Sequence, residues 1–159
     1  MSRLNLGSGE NRLAGYINVD IRAEARPDIL ADIMDVTFKD RAFEEIRMMD
    51  LIEHVSSLNG KKLLRRCFNW MQPGGSIIIT TQNMSHVASL LVNGDDVDEA
   101  LRWIYGSTGE GETDHDNGYH RWGYNASTLS GLLSTIGFQV LDAKVYCNGY
   151  SLMVTAVKR

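Results

Sequence analysis

Cysteine is scarce in this chain, with Cys67 and Cys147 the only two among 159 residues. They are too far apart in sequence for a metal or redox spacing, which excludes a cysteine-rich zinc site. Both lie in apolar segments and are expected to be buried thiols in a reducing compartment. No uninterrupted apolar run approaches the roughly 20 residues that would span a bilayer. The first core strand is expected from about Arg3, leaving no room for a signal peptide, so the chain is expected to be soluble and cytoplasmic. A net charge of -4 gives no general attraction to nucleic acid or acidic membranes, which argues against either as a partner. Repeats, low-complexity tracts, a nucleophile elbow and a phosphate loop are also absent. What remains is a chain with 43% apolar residues, enough for one domain over 1–159 with a sizeable core.

The first twenty residues carry the main functional signal. Leu4-Asn5-Leu6-Gly7-Ser8-Gly9 reads as a short apolar strand ending in a glycine turn, and Tyr16-Ile17-Asn18-Val19-Asp20 as a second strand ending in an acid. Glycines let the backbone turn sharply and approach a ligand closely, and an acid at the neighbouring strand tip can accept both hydroxyls of a ribose. A dinucleotide fingerprint would need a third glycine three residues after Gly9, where this chain has Arg12. It would also need roughly 20 residues before the acid. Only 13 positions separate Gly7 from Asp20. A helix of a turn or two at most fits there, so a nucleoside ligand without phosphates is favoured, and S-adenosylmethionine is the common one.

These motifs resemble those of class I S-adenosylmethionine-dependent methyltransferases, in particular a short type 11-like branch. Ala31-Asp32-Ile33-Met34-Asp35-Val36-Thr37-Phe38 is similar to that branch's Asp-x-x-x-Leu-Pro-Phe segment. Leu51-Ile52-Glu53-His54-Val55 is similar to its Leu-Glu-His element, and Pro73-Gly74-Gly75 to the turn before its fifth strand. The resemblance implies an α/β, three-layer Rossmann-like fold with a mostly parallel sheet. It also implies a donor site built from Leu6, Gly7, Ser8, Gly9, Asp20, Ile21, Asp32, Ile33 and Asp50. Asp20 would take the ribose, Asp32 with the backbone of Ile33 the adenine edge, and Asp50 would border the methyl group. Asp35 is the rival to Asp32, and the alternative reading of Asp20 is a solvated acid capping a turn.

Periodicity places strands at 3–6, 16–21, 28–33 and 45–49 with helices interleaved after the third, and a buried fifth strand at Ile77-Ile78-Ile79. Leu63, Leu64, Cys67, Phe68 and Met71 recur at helical spacing, as do Leu129, Leu132, Leu133 and Ile136 ahead of Gly137. Val140 to Tyr146 and Ser151 to Val157 read as strands joined through Asn148-Gly149, so the sheet is expected to close in an antiparallel hairpin.

If a helix begins at Asp50, then Asp50, Glu53 and His54 project from one face and could hold a divalent ion, with His115 or His120 as a further ligand. The pattern is similar to the Glu-x-x-Glu-His of the ubiquinone-pathway O-methyltransferases and small-RNA 2′-O-methyltransferases, with Asp50 one methylene shorter. The plainer alternative is that Glu53 caps the helix and His54 packs on the next loop.

Residues 94–125 read as a lid on the acceptor side, with a short amphipathic helix through Val97, Ala100, Leu101 and Ile104. The resemblance makes His120 the first candidate for general base or metal ligand, with His115 second; Asp50 and His54 complete the catalytic set. Trp122 and Tyr124 read as packing or as pocket wall. Nothing precedes Arg3 to cover the site, so the 94–125 segment, a second subunit or a partner protein is expected to complete it. The function implied is methyl transfer to an O or N of a small-molecule or sugar-type acceptor. The alternatives are a cofactor-binding module without turnover and a metal-dependent RNA 2′-O-methyltransferase.

Overall fold

The computed structural model describes residues 2–106 and 118–159. Seven strands, β1 (Ser2–Leu6), β2 (Ile17–Asp20), β3 (Ile29–Leu30), β4 (Phe43–Met49), β5 (Met71–Gln82), β6 (Phe138–Tyr146) and β7 (Ser151–Lys158), form one sheet in the order β3-β2-β1-β4-β5-β7-β6. The first five are parallel, and β7 inserts antiparallel between β5 and β6. This is the expected Rossmann-like sheet, closed by its terminal antiparallel pair.

Apolar residues alternate along the strands, so one face collects Leu4, Leu6, Ile46, Met48, Ile77, Ile79, Val154 and Ala156, all fully buried. Helices α1 (Ser57–Trp70) and α4 (Ala126–Ile136) cover that face. Helix α1 starts where the Ser56 side chain accepts from the Asn59 N–H at 3.3 Å. It buries Gly60, Leu63, Leu64, Cys67 and Trp70 along one stripe, the 3.6-residue period written into the sequence. Helix α4 opens with a reciprocal Asn125–Thr128 capping box and stops at Gly137, whose φ of 120° an L side chain rarely adopts. The remaining helices, α2 (Met84–Asn93) and α3 (Val97–Tyr105), pair with each other.

Several expectations are corrected. The third strand shrinks from 28–33 to Ile29–Leu30, and residues 31–42 form no helix. The Asp32 carboxylate instead accepts the Met34 N–H at 2.7 Å and closes a turn, while Phe38 packs edge-on against Phe43 and Trp70. Met71 opens β5 rather than closing α1. The terminal strands are joined by a 3-10 turn at Cys147–Gly149, which leaves Cys147 exposed with φ 50° rather than buried. Cys67 is fully buried, and that burial pushes its thiol up to about 12. Among the described residues, no helix is long and apolar enough to cross a membrane.

Candidate functional site

The site is built at the carboxyl ends of β1, β2 and β4. After β1 the chain turns through Gly7 (φ 63°) and Gly9 (φ 49°). An added Cβ at Gly7 would sit 2.6 Å from Leu51 Cδ1, and one at Gly9 would sit 2.7 Å from an Arg22 terminal nitrogen. Both positions need glycine for conformation, and Gly7 also for space, since the Arg22 tip beside Gly9 can swing aside. No helix follows. The loop is tied down by Asn18, whose Oδ1 accepts from Asn5 Nδ2 at 3.0 Å and from the Leu13 N–H at 2.9 Å. Asp28 in turn accepts from the Asn18 N–H and Nδ2, both at 2.8 Å, and these bonds hold its carboxyl below the usual range.

Asp20 is buried at the end of β2, only 5% exposed. One oxygen accepts the Gly9 N–H at 2.6 Å; the other accepts the Arg22 N–H at 2.9 Å and Arg22 Nε at 3.3 Å. These donors fix the carboxylate at the mouth of the turn and leave one lone pair, on the oxygen that faces Gly9, for a further donor. Ser8 Oγ is buried there without a partner. A cradle that a Cβ would fill, an oriented acid and an orphaned hydroxyl fit a ribose-bearing ligand. Asp32 and Ile21 are exposed at the rim, and Ile33 is buried.

Beyond β4 the structure departs from the expected helix. Asp50 has φ 50°, a single 3-10 turn spans Ile52–His54, and α1 begins only at Ser57. Glu53 caps nothing, since Ser56 does that work. Asp50 turns toward β5, where Thr80 Oγ1 donates to its carboxylate at 3.0 Å and its N–H reaches Thr80 O at 3.1 Å.

Glu53 and His54 meet His120 instead. One potential ligand atom from each of these three side chains lies within 4.8 Å of the others. The segment Tyr119–Trp122 straps across the turn: the Arg121 and Trp122 N–H groups donate to Glu53 O at 2.7 and 3.1 Å, and His54 Nδ1 donates to Tyr119 O at 3.1 Å. His120 Nδ1 donates to Trp103 O, in the last turn of α3, at 2.8 Å. A carbonyl partner fixes each ring with its proton on Nδ1, so both Nε2 atoms keep their lone pairs. The rings lie 4.9 Å apart, edge to face.

Glu53 is 3% exposed and Oε2 has no partner; burial raises its carboxyl to about 8. Burial also lowers His54, which keeps the imidazole neutral near pH 7. Thr81 Oγ1 is buried beside Glu53, and Tyr124 OH is buried nearby without a partner and lies in the field of Glu53. Two imidazole nitrogens and a carboxylate suit a divalent ion of the hard or borderline class. Trp122, expected as packing or pocket wall, is half exposed, whereas Tyr124 is buried in the core. His115 lies outside the described residues.

Sequence reasoning missed Thr80, Thr81, Arg22 and Trp103. None carries a local motif: Arg22 reaches Asp20 through a turn two residues on, strand pairing places Thr80 and Thr81, and helix α3 presents the Trp103 carbonyl.

A family described as "Methyltransferase domain" matches residues 7–143. The chain belongs to this methyltransferase-domain family. Its fold is that of class I S-adenosylmethionine-dependent methyltransferases. A methyltransferase from Methanosarcina mazei superimposes with a TM-score of 0.69 at 17% identity, covering 99% of this chain and 92% of that one. A putative methyltransferase from Listeria monocytogenes gives 0.68 at 16%, covering 99% and 91%. The [4+2]-cyclase SpnF also matches, with a TM-score of 0.65 at 13% identity over 99% of this chain and 75% of that one, so the fold does not by itself fix the reaction. A phosphoethanolamine N-methyltransferase from Plasmodium falciparum is 37% identical over 49 residues, 31% of this chain and 18% of that enzyme. The match thus spans under a fifth of that curated relative's length.

Proposed function

We propose that this methyltransferase domain transfers a methyl group from S-adenosylmethionine to an oxygen or nitrogen of a small-molecule or sugar-type acceptor bound at Glu53, His54 and His120. The observation that carries this reading is the convergence of those three side chains beside the glycine turn and Asp20. In this assignment Leu6, Gly7, Ser8 and Gly9 line the donor's methionine side, and Asp20 takes the ribose hydroxyls. Ile21, Asp32 and Ile33 border the adenine, and Asp50, held by Thr80, lies toward the methyl group.

The bound donor supplies an electrophilic methyl carbon. The protein's share of the work is to hold the acceptor lone pair in line at about 3 Å, keep water out and take up a proton where the acceptor loses one. His120 Nε2 and His54 Nε2 are the available proton acceptors, since both Nδ1 atoms are engaged. A divalent ion held by Glu53, His54 and His120 would take up both Nε2 lone pairs, so the rings would then act as ligands instead of bases, and it would supply positive charge to an acceptor oxygen. The -4 net charge favours a small acceptor over RNA.

Calorimetry with S-adenosylmethionine and S-adenosylhomocysteine tests the donor site. Asp20→Ala is expected to weaken both by about 30- to 100-fold, the loss of one charged hydrogen bond of about 2–3 kcal/mol. A homocysteine-release assay over an acceptor panel, with and without Mg2+ or Mn2+, tests turnover. Tight donor binding with no turnover for any acceptor would make the chain a binding module instead.

A further inference from the structure

The face of the sheet opposite α1 and α4 has a different character. The segments between β1 and β2 and between β2 and β3, where helices would cover it, are loops with one 3-10 turn at Ala23–Ala25. Along β4, β5 and β7 the residues pointing to the helix-covered face are fully buried. Their neighbours Glu45, Arg47, Ser76, Ile78, Met153, Thr155 and Val157 are only half-buried.

Strand register sorts this second face into rows. One row runs Arg47 (β4), Ile78 (β5), Thr155 (β7) and Asp142 (β6). The bulge between Val140 and Asp142 brings Asp142 into it. The row on one side is Glu45, Ser76, Val157 and Gln139; that on the other is Met49, Thr80, Met153 and Lys144. The charges therefore sit on the two outer strands, with small or apolar residues between them.

We infer that this face is the contact between two copies of the chain, related by a two-fold axis running along the strands between β5 and β7. Such an axis reverses every row onto itself. Arg47 then faces Asp142 of the second copy, Glu45 faces Gln139, Lys144 faces Met49 beside Asp50, and Ile78 faces Thr155. No like charges meet. A two-fold axis across the strands through the Arg47 row would instead set Arg47 on Arg47 and Asp142 on Asp142, so the pattern selects the first arrangement.

Each charge already has a partner within its own copy, Arg47 with Glu45 at 2.6 Å and Asp142 with Lys144 at 3.1 Å. The cross-contacts therefore extend networks rather than bury lone charges. Sheets packed this way lie nearly aligned, at about 30°. Strand spacing and rise give these three rows a face of about 400 Å2 per copy, the size of a weak, transient contact. A dimer that dissociates on dilution is expected.

Sedimentation equilibrium over a concentration series tests this on the full chain. The wild type is expected to dimerise, with Arg47→Glu and Asp142→Arg each weakening the dimer by about tenfold or more and the double reversal restoring most of it. Arg47 also supports the Tyr16 ring, at 5.5 Å, so a second test avoids it. In a Cys147→Ser background, Ile78→Cys protein mixed with Thr155→Cys protein is expected to form an intermolecular disulfide on oxidation. A chain monomeric at every concentration overturns the inference and leaves the face to another segment or another protein. A dimer indifferent to both reversals and giving no disulfide also overturns it, by placing the contact elsewhere.

Discussion

Glu53 is the residue most changed by its surroundings. Its carboxyl rises from 4.5 to about 8 because burial disfavours the charged form. The folded chain therefore binds a proton that the unfolded chain releases above about pH 4.5. The stability linked to that proton is complete below the unfolded pKa, falls through the interval and is gone above about 8. Glu53→Gln is expected to raise the melting temperature of the ion-free protein at pH 8 and to leave it unchanged near pH 4, as thermal denaturation at the two pH values will measure. An equal effect at both would contradict the buried, protonated state. Divalent-ion affinity of the wild type should rise with pH toward 8, since a ligand carboxyl must give up its proton. Asn18 carries a different load, holding Asn5, the Leu13 N–H and Asp28 at once. Asn18→Ala removes the acceptor of the Leu13 N–H and one bond each from Asn5 and Asp28, which keep the Asn11 carbonyl and the Asn18 N–H, and should cost about 1–2 kcal/mol in urea unfolding while loosening the glycine turn. Gly7, Gly9 and Asp20 were legible in the sequence because a left-handed turn and a strand-end acid are needs that residue type records. Thr80 and Thr81 were not, because each owes its place to a neighbour far away in the chain.

At the scale of elements, the segment Tyr119–Trp122 contributes most through backbone. Helix α3 ends at Gly106, whose φ is 86° and which bridges to Tyr119. A Cβ there would lie 2.2 Å from Gly118 O, a backbone atom that cannot swing aside. Gly106→Ala should therefore push the Tyr119–Trp122 strap off the turn at Ile52–His54 and separate His120 from Glu53. Mn2+ affinity is expected to fall by about tenfold or more, while donor affinity, set on the far side by Gly9 and Asp20, stays within about twofold. A loss of both in parallel would mean general unfolding. The amphipathic stripe of α1 and the terminal strand pair were readable because burial imposes periods of 3.6 and 2 on the sequence. The stretch 31–42 was not, since its apolar residues Ile33, Met34, Val36 and Phe38 pack on the core from a loop. The left-handed Asp50 was hidden for a related reason: the Thr80 contact that accompanies it lies 30 residues away.

For the whole molecule, the proposed donor site would link ligand to stability, because its parts come from separate elements of one sheet. Gly7 and Gly9 follow β1, Asp20 ends β2, and Leu51, which packs against Gly7, follows β4. Unfolding the sheet destroys all of these at once, so a ligand bound there binds the native state alone. Its stabilisation grows with the logarithm of concentration, about 2.7 kcal/mol at 100 times Kd. For a domain of this size that corresponds to a rise in Tm of roughly 5–10 °C. S-Adenosylhomocysteine is the informative probe because it occupies the site without reacting. Scanning calorimetry should give that rise for the wild type and for Gly106→Ala, whose donor side is intact, and little or none for Asp20→Ala at the same ligand concentration. A shift that survives Asp20→Ala would move the nucleoside site away from the β2 terminus, and no shift in the wild type would remove the donor from this chain altogether.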